Sequence, residues 1–408
     1  APRALAAPAV RRTPGRGAGR QAAMATTAEG GRMELECTMD EQDVIVLDNG
    51  SGFLKVGFSG EDAPRAVLPM VVATTTVDET REDEHAVNVD SATQKKNQNF
   101  YGEEALMQDH TTITWPVRRG EIRLESNYKD ALESLWEHAI RNVLGVEQED
   151  LPVLIADSLP LGQAAYPSRK WMTEIMFEKL KVKSVAIFNT AVLSLFSTGK
   201  TRGLVVESGE GRTHAVPVFE GYAIPHAIFK MEAAGGDITA AVQSMMQAQG
   251  CEFAGSLRVM QAMKEKVCSV ALDYGAAARG PDTADDESKS FELPDGNIVR
   301  VSQQVRMGAP EILFGSGDQG TPFVQNICME AINTCDLDFQ QDLIRSLVVA
   351  GGTSMLPGFA PRLRSELSSL LPAEMARQVD ICVDSQRRYA AWIGGSMFAS
   401  LSTFDQVA

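Results

Sequence analysis

The sequence predicts a mixed α/β fold with at least two domains, on three observations. The chain has 408 residues, which is more than one hydrophobic core usually accommodates. Runs of β-forming residues alternate with segments whose apolar residues recur at helical spacing. Two strand pairs share one sequence plan, which favours an internal duplication. We therefore expect two related lobes, each with its own strands and helices.

The two related strand pairs surround short turns that are rich in glycine and begin with an acid. The first turn is Asp48-Asn49-Gly50-Ser51-Gly52, and the second is Glu207-Ser208-Gly209-Glu210-Gly211. The flanking strand-like runs lie at 44–47, 53–58, 203–206 and 213–218. For either copy alone, a tight hairpin turn is the simpler interpretation. The repetition shifts the balance towards two halves of one binding site.

Turns of this kind can hold a polyphosphate. Glycine lets consecutive backbone N–H groups approach an anion without a Cβ in the way. The leading acid, Asp48 or Glu207, can hold a divalent cation directly or through water. The sequence lacks the G-x-x-x-x-G-K-[ST] pattern of a P-loop, and neither turn opens a helix as a dinucleotide-binding motif does. Two facing turns predict a different device, a nucleotide clamp.

A third glycine-rich turn follows the apolar run at 347–350. Gly351 and Gly352 precede Thr353, and helical spacing begins again at about 359 and continues to 371. The N-terminus of a helix favours an anion nearby. An ordinary turn between a strand and a helix fits this pattern equally well, so both interpretations stay open.

Apolar spacing predicts most of the remaining elements. Residues 74–99 are polar and charged, which is typical of a mobile surface excursion, and 275–289 has the composition of a loop. The run 128–144 has a helical stripe that includes Trp136 and Val143. We also predict strands at 151–155 and 185–188, helices at 169–180, 190–196, 237–249 and 257–272, and a hairpin at 291–301.

Composition excludes several classes of protein. The net charge of −16 argues against a nucleic-acid surface, and the apolar runs are too short for a membrane span. Six cysteines without a C-x-x-C pair predict free thiols in a reducing compartment. Residues 1–38 are rich in arginine, alanine, proline and glycine, with no acid before Glu29. We expect a disordered basic leader there, with an organellar transit peptide as the alternative.

Several blocks of the chain resemble the actin family. They are 46–58 and 62–67, which contain the first glycine turn, then 220–227, 264–266, 293–296, 351–358 and 392–404. The blocks keep the order that they have in actin. The resemblance implies two duplicated actin-like (ribonuclease H-like) α/β domains around a nucleotide cleft.

The resemblance also implies a domain organisation. The first actin-like domain would be 39–197, with 74–115 as an inserted small subdomain. The second would be 198–389, with 234–310 inserted. Residues 390–408 would return to the first domain, with a truncated C-terminus.

The family's functional residues can be carried over to matching positions. The resemblance implies Asp48 and Glu207 beside Mg²⁺ or Ca²⁺, and His214 and Thr190 beside the water that attacks the terminal phosphate. It implies ATP or ADP contacts for Gly50, Ser51, Gly52, Phe53, Lys55, Gly209, Glu210, Gly211, Arg212, Gly235, Gln261, Lys264, Glu265, Gly351, Gly352, Thr353, Met355 and Arg388.

The chain departs from actin at several of these positions. Thr190 stands where the family has a glutamine that helps to orient the attacking water, and its shorter side chain cannot replace that amide. Glu207 and Glu210 stand where the family has aspartates, and Arg212 replaces a valine. Loss of one preorganised polar contact typically lowers a rate by about 10²–10³. The sequence therefore predicts nucleotide binding with slow or absent hydrolysis.

Two functions follow from the resemblance. The first is an ATP-binding cytoskeletal protein, a weak ATPase at most, that assembles with itself or other actin-family subunits and meets actin-binding proteins. The alternative is a non-catalytic actin-related subunit that binds ATP structurally within a larger assembly. A sugar kinase or chaperone ATPase would share the clamp, but no sequence block supports either. We expect a cytoplasmic, cytoskeletal location, with the nucleus as the other option, and no nucleic-acid contact.

Overall fold

The computed structural model describes residues 43–79, 94–108, 111–147, 151–158, 166–251, 255–279, 290–315 and 322–404. The predicted leader at 1–38 and the last four residues lie outside these ranges. In chain order the strands are β1 Ile45–Asn49, β2 Phe53–Phe58, β3 Ala66–Pro69, β4 Val72–Glu79, β5 Gln94–Tyr101, β6 Thr112–Thr114, β7 Val117–Arg118, β8 Glu121–Ile122, β9 Pro152–Asp157, β10 Ser184–Asn189, β11 Gly203–Ser208, β12 Thr213–Phe219, β13 Tyr222–Ala223, β14 Phe229–Met231, β15 Ser290–Glu292, β16 Ile298–Arg300, β17 Leu347–Ala350 and β18 Ile381–Cys382.

Helices lie between the strands. In chain order they are α1 Gly102–Ala105, α2 Ser126–Glu137, α3 Tyr166–Glu178, α4 Thr190–Phe196, α5 Gly235–Ala248, α6 Leu257–Val267, α7 Tyr274–Arg279, α8 Gln303–Gly308, α9 Val324–Thr334, α10 Leu337–Arg345, α11 Phe359–Leu370, α12 Ala373–Ala376 and α13 Ala390–Ala399. A π-helical segment, His138–Leu144, continues α2, and a 3₁₀ turn, Gly352–Met355, follows β17. Within the described residues, no helix has the length and apolar content needed to cross a membrane.

Two main sheets repeat one topology. The first has the order β10-β9-β1-β2-β3, with β1 antiparallel to β2 and parallel to β9. The second has the order β13-β12-β11-β17-β18, with β11 antiparallel to β12 and parallel to β17. Strand β14 also pairs with β12. The shared order of hairpin, parallel strand and parallel strand confirms the predicted duplicated α/β fold.

Each sheet forms the centre of a lobe. In the first lobe, α13 packs on the first sheet, and Trp392 donates from Nε1 to the backbone oxygen of Val46 at 3.0 Å. A side chain at Gly394 would overlap the backbone of Leu193 in α4, so glycine lets the two helices touch. The second lobe has a larger core between its sheet and helices α5, α6, α9 and α11. The predicted domain boundaries stay predictions.

Some local predictions were wrong. The ends of the excursion at 74–99 form a regular hairpin, because β4 and β5 pair over eight positions; its middle lies outside the described residues. Tyr274–Arg279 is a helix rather than a loop, and α6 ends at Val267 instead of 272. Val143 is 36% exposed, because it lies in the π-helical segment, whose periodicity differs from that of an α-helix.

Candidate functional site

The two glycine turns face each other across one cavity. A methyl group on Gly211 would overlap the hydroxyl of Ser51, so the turns meet closely. The cavity has a volume of about 310 Å³ and is lined by both turns, by the start of α4 and by the turn after β17. Sequence reasoning proposed these segments separately, and the fold brings them together.

The two turns have the same internal construction. Gly50 donates its backbone N–H to the oxygen of Phe53 at 3.1 Å, and Gly209 donates to the oxygen of Arg212 at 3.0 Å. Each leading acid then lies opposite a basic side chain on the paired strand. Asp48 faces Lys55 in the first hairpin, and in the second Glu207 faces His214. The duplication therefore extends from the sheets to the side chains of the site.

Nearly all of the predicted site residues line this cavity. They are Asp48, Gly50, Ser51, Gly52, Phe53, Lys55, Thr190, Glu207, Gly209, Glu210, Gly211, Arg212, His214, Gln261, Lys264, Glu265, Gly351, Gly352, Thr353 and Arg388. Gly235 and Met355 do not line it. Gly235 lies behind Glu210, where a Cβ would be 2.7 Å from Oε2 of that residue.

Asp48 and Lys55 form an ion pair at the first turn. Nζ of Lys55 lies 2.7 Å from Oδ2 of Asp48, and both side chains are largely shielded from solvent. Asp48 is 5% exposed, and its position in β1 holds it firmly. The pair places one carboxylate and one ammonium group at the same wall of the cavity.

Glu207 is the centre of a buried hydrogen-bond cluster. It accepts hydrogen bonds from the hydroxyls of Thr190 and Ser194, each at 2.6 Å, and Nε2 of His214 lies 2.9 Å from its Oε2. Burial opposes ionisation of this carboxyl group. The bonds from His214, Ser194 and Thr190 outweigh that effect and lower the pKa of Glu207 below its ordinary value. Glu207 is therefore a carboxylate whose two oxygens both accept hydrogen bonds.

Asn49 and His214 each have a buried polar atom without a hydrogen-bond partner among the described residues, and Nε of Arg387, another lining residue, is a third such atom. Trp136 donates from Nε1 to Oδ1 of Asn49 at 2.9 Å, which leaves Nδ2 of Asn49 without an acceptor. Nδ1 of His214 also has no partner, while its Nε2 lies beside Glu207. Buried polar atoms normally find partners. The atoms of Asn49 and His214 favour a polar ligand at this wall.

A buried lysine, Lys264, stabilises the side of the cavity that the second glycine turn forms. Nζ of Lys264, which is 4% exposed, lies 3.1 Å from Oε2 of Glu210 and donates to the backbone oxygen of Gly235 at 3.0 Å. Thr353 donates from its hydroxyl to the oxygen of Gly209 at 2.7 Å. The second glycine turn is thereby fixed to α5, α6 and the turn after β17.

Gly351 and Gly352 have different structural roles. Gly351 has a φ of 90°, and a side chain there would overlap the backbone of Ser208, so the fold itself requires glycine. A methyl group on Gly352 would meet no atom within 4 Å, although this residue lines the cavity. A side chain at Gly352 would therefore occupy open space at the cavity wall.

Sequence reasoning missed several lining residues. Ser194 lies one helical turn after Thr190 on α4, so its spacing could have revealed it. Gly120, Ser158, Arg387 and Tyr389 also line the cavity. Gly120 and Ser158 come from distant segments that only the folded chain brings to this wall, whereas Arg387 and Tyr389 flank the predicted Arg388.

The acidic residues at the cavity fit a divalent cation that is coordinated mainly by phosphate oxygens of a bound ligand and by water. Among the described residues, no group of three or more histidine, cysteine, aspartate or glutamate side chains could hold a metal ion. Mg²⁺ commonly binds through one or two carboxylates, phosphate oxygens and water rather than in an all-protein cage. Asp48 and Glu207 match that simpler pattern, since they occupy equivalent places in the two hairpins.

Comparison with known protein families agrees with this architecture. The family model described as Actin matches residues 39–256 and 251–408. The chain belongs to the actin family. The match covers both hairpins, the turn after β17 and helix α13, so the duplicated lobes and the cavity between their hairpins are those of an actin-family fold.

Proposed function

We propose that this actin-family protein binds ATP or ADP, with Mg²⁺ or Ca²⁺, in the cavity between the two glycine turns. The observation that carries the proposal is the matched pair of hairpins, each with a glycine N–H closing the turn and an acid opposite a basic residue. The bonds of Gly50 and Gly209 fix the two turns, and the remaining backbone N–H groups of facing glycine turns suit a polyphosphate. The unpartnered Nδ2 of Asn49 lies at the same wall and would find an acceptor there.

The cavity residues divide by chemistry into two ends. Gly50, Ser51, Gly52, Phe53, Lys55 and the turn from Gly209 to Arg212 would contact phosphates, because they offer N–H groups, a hydroxyl and cations. Asp48 and Glu207 would hold the divalent cation through its water ligands. Glu210 would accept from the ribose hydroxyls. Gln261, Lys264, Glu265, Gly351, Gly352, Thr353 and Arg388 would surround the nucleoside, with Gly235 and Met355 outside this lining. The cation would neutralise phosphate charge.

Slow hydrolysis is the second part of the proposal. A hydrolytic site needs a group that orients the attacking water. The single hydroxyl of Thr190 is bonded to Glu207, and His214 also uses Nε2 for that carboxylate. Nδ1 of His214 is still available to contact a water molecule. The glutamine amide that the actin family has at the position of Thr190 is missing beside it. This arrangement supports a bound nucleotide with weak turnover.

The cellular role that we propose is cytoskeletal and cytoplasmic, with actin-family subunits and actin-binding proteins as partners. The alternative is a subunit that carries its nucleotide as a structural component of a larger assembly. The hydrogen-bond cluster around Glu207 favours this alternative specifically, because it stabilises the site without preparing a water for attack. A nuclear location fits either role.

Binding is tested with purified protein, by assaying released nucleotide after denaturation and by titrating a fluorescent ATP analogue with Mg²⁺ and then Ca²⁺. Gly352→Ala places a methyl group at the cavity wall, and we expect at least about tenfold weaker binding, roughly 1.4 kcal/mol. Gly255→Ala is the matched control, since its methyl group also meets no atom but lies outside the cavity. The proposal would be refuted if the protein bound no nucleotide with Mg²⁺ and none with Ca²⁺. Unchanged nucleotide affinity in Gly352→Ala would also refute it.

A further inference from the structure

The two lobes are joined beside the cavity by Arg119. This residue lies at the tip of the β7–β8 hairpin of the first lobe, and its guanidinium nitrogens lie 2.7 and 2.8 Å from the two carboxylate oxygens of Asp237 in α5. Arg119 also donates to the backbone oxygen of Glu232. Both acceptors belong to the second lobe. A two-pronged arginine contact of this kind fixes orientation as well as distance.

The backbone of Arg119 is in a conformation that arginine rarely adopts. Its φ is 53°, and the next residue, Gly120, has a φ of 69°. This is the turn type in which asparagine followed by glycine is usual. An unfavourable backbone of this kind persists where surrounding contacts hold it in place. Asp237 and Glu232 hold the side chain of Arg119, and the N–H of Gly120 donates to Oγ of Ser51 at 2.8 Å, which holds the turn.

The side chain of Asp237 is also fixed by a hydrogen bond within its own lobe. Its Oδ2 accepts a hydrogen bond from the backbone N–H of Ala234 at 2.9 Å, at the start of α5. The carboxylate therefore has little freedom to follow Arg119 if the lobes separate. Movement of one lobe would break the contact rather than drag the acceptor with it.

A second arginine crosses the cleft in the opposite direction. Arg212, from the second glycine turn, has its Nη2 2.8 Å from Oε1 of Glu121 in β8 and its Nη1 3.4 Å from the backbone oxygen of Ser158. The side chain of Arg212 is 9% exposed and thus better shielded than that of Arg119, while its partner Glu121 is half-exposed. At the outer edge of the cleft, Arg258 and Glu103 form a third, half-exposed pair at 2.6 Å.

Nζ of Lys230 in β14 also crosses the cleft and lies 3.9 Å from Oε1 of Glu121, whereas two other charged pairs at the site stay within one lobe. Lys55 and Asp48 are both in the first hairpin, and Lys264 and Glu210 are both in the second lobe. Only bonds that cross the cleft oppose its opening. Arg119 and Arg212 cross it in opposite directions, and both bridges involve the β7–β8 hairpin beside the contact between the two glycine turns.

We infer that Arg119 and Arg212 form a clasp that holds the cleft closed without a ligand and limits how fast a nucleotide enters and leaves. The nucleotide half of this inference rests on the proposed function, whereas the closed cleft does not. Opening would separate both arginines from their carboxylates. Because each bridge has one half-exposed side chain, Arg119 in one and Glu121 in the other, added salt would weaken the clasp.

The test uses Arg119→Ala, Glu121→Ala and the double variant, because neither residue is among the proposed nucleotide contacts. Arg65→Ala is the matched control, since Arg65 pairs with Glu61 at 2.6 Å within the first lobe. Amide hydrogen exchange is measured at 50–53 and 209–212 without added nucleotide. We expect at least about tenfold faster exchange at both turns in the double variant, and no change in the control.

Release of a fluorescent ATP analogue is measured on the wild type and the same four variants at low and high NaCl. We expect salt to speed release from the wild type and to have little further effect on the double variant. Unchanged hydrogen exchange and release in a folded double variant would overturn the clasp, and so would salt-independent release from the wild type. If the double variant exchanges faster but neither the wild type nor any variant binds nucleotide, the clasp stands and the proposed function is rejected.

Discussion

The hydroxyl of Thr190 donates a 2.6 Å hydrogen bond to the carboxylate of Glu207. The two residues belong to α4 and β11, so the bond joins the end of the first sheet to the second hairpin. By resemblance, the actin family has glutamine and aspartate at these positions. The longer glutamate side chain reaches the shorter threonine, so the two still form a hydrogen bond. The hydroxyls of α4 therefore bond to Glu207, and no amide is present there to orient a water molecule.

Exchange of both residues should restore a water-orienting group. We expect Thr190→Gln combined with Glu207→Asp to raise single-turnover hydrolysis of bound ATP by about 10²-fold, since the shorter acid leaves room for the amide. Thr190→Gln alone should gain much less, because Glu207 still fills that space. Release of phosphate from a stoichiometric complex is the measurement. Equal rates in the wild type and the double variant would contradict this account.

The depressed pKa of Glu207 makes stability depend on acid pH. Hydrogen bonds from His214, Ser194 and Thr190 outweigh burial and lower this pKa in the folded state. The resulting stabilisation is complete above the unfolded pKa of about 4.3 and is lost as pH falls through the folded value. We expect the free energy of unfolding in urea to fall on acidification below pH 5 less steeply in Glu207→Gln than in the wild type. Parallel curves for the two proteins would exclude this role.

Arg362 and Glu311 form a buried ion pair in the core of the second lobe. The guanidinium of Arg362 lies 2.7 Å from Oε1 of Glu311, and both residues are almost fully buried. Arg362→Met would leave Glu311 as a buried carboxylate without its partner and should cost about 3–5 kcal/mol in the free energy of unfolding. The exposed pair of Lys170 and Glu174 provides the control, and Lys170→Met should cost at most about 1 kcal/mol. Chemical denaturation with similar losses in both variants would contradict the assignment.

The thiols should differ widely in reactivity. Burial raises the pKa of Cys268 to about 12, and it raises the pKa of Cys328 further. Cys251 and Cys382 are half-buried. Because the thiolate is the reactive form, we expect an alkylating reagent at pH 8 to modify Cys251 and Cys382 well before Cys268 and Cys328. Peptide mapping by mass spectrometry follows the order, and denaturant should remove the difference.

The elements with strong local signals were predicted well. The two glycine turns, the helix Thr190–Phe196 and the strand Leu347–Ala350 lie where the sequence indicates them. Prediction failed at 74–79 and 94–99, the described ends of a segment whose polar composition suggested a mobile excursion. Antiparallel backbone hydrogen bonds do not require apolar side chains, and the threonines of β4 have good β-propensity.

The local sequence determines the position of the two hairpins, because the glycines, the acid and the flanking β-forming residues lie within a few residues of each other. Nearly every residue that the actin-family resemblance indicated lines the cavity, although the resemblance did not indicate several further lining residues. Side-chain partners were decided only by the folded chain. Thr190 and Glu207 are 17 positions apart, and Arg212 and Glu121 are 91 apart. Such pairs depend on how two sheets and their connecting turns pack, and that packing sums weak contacts from the whole molecule.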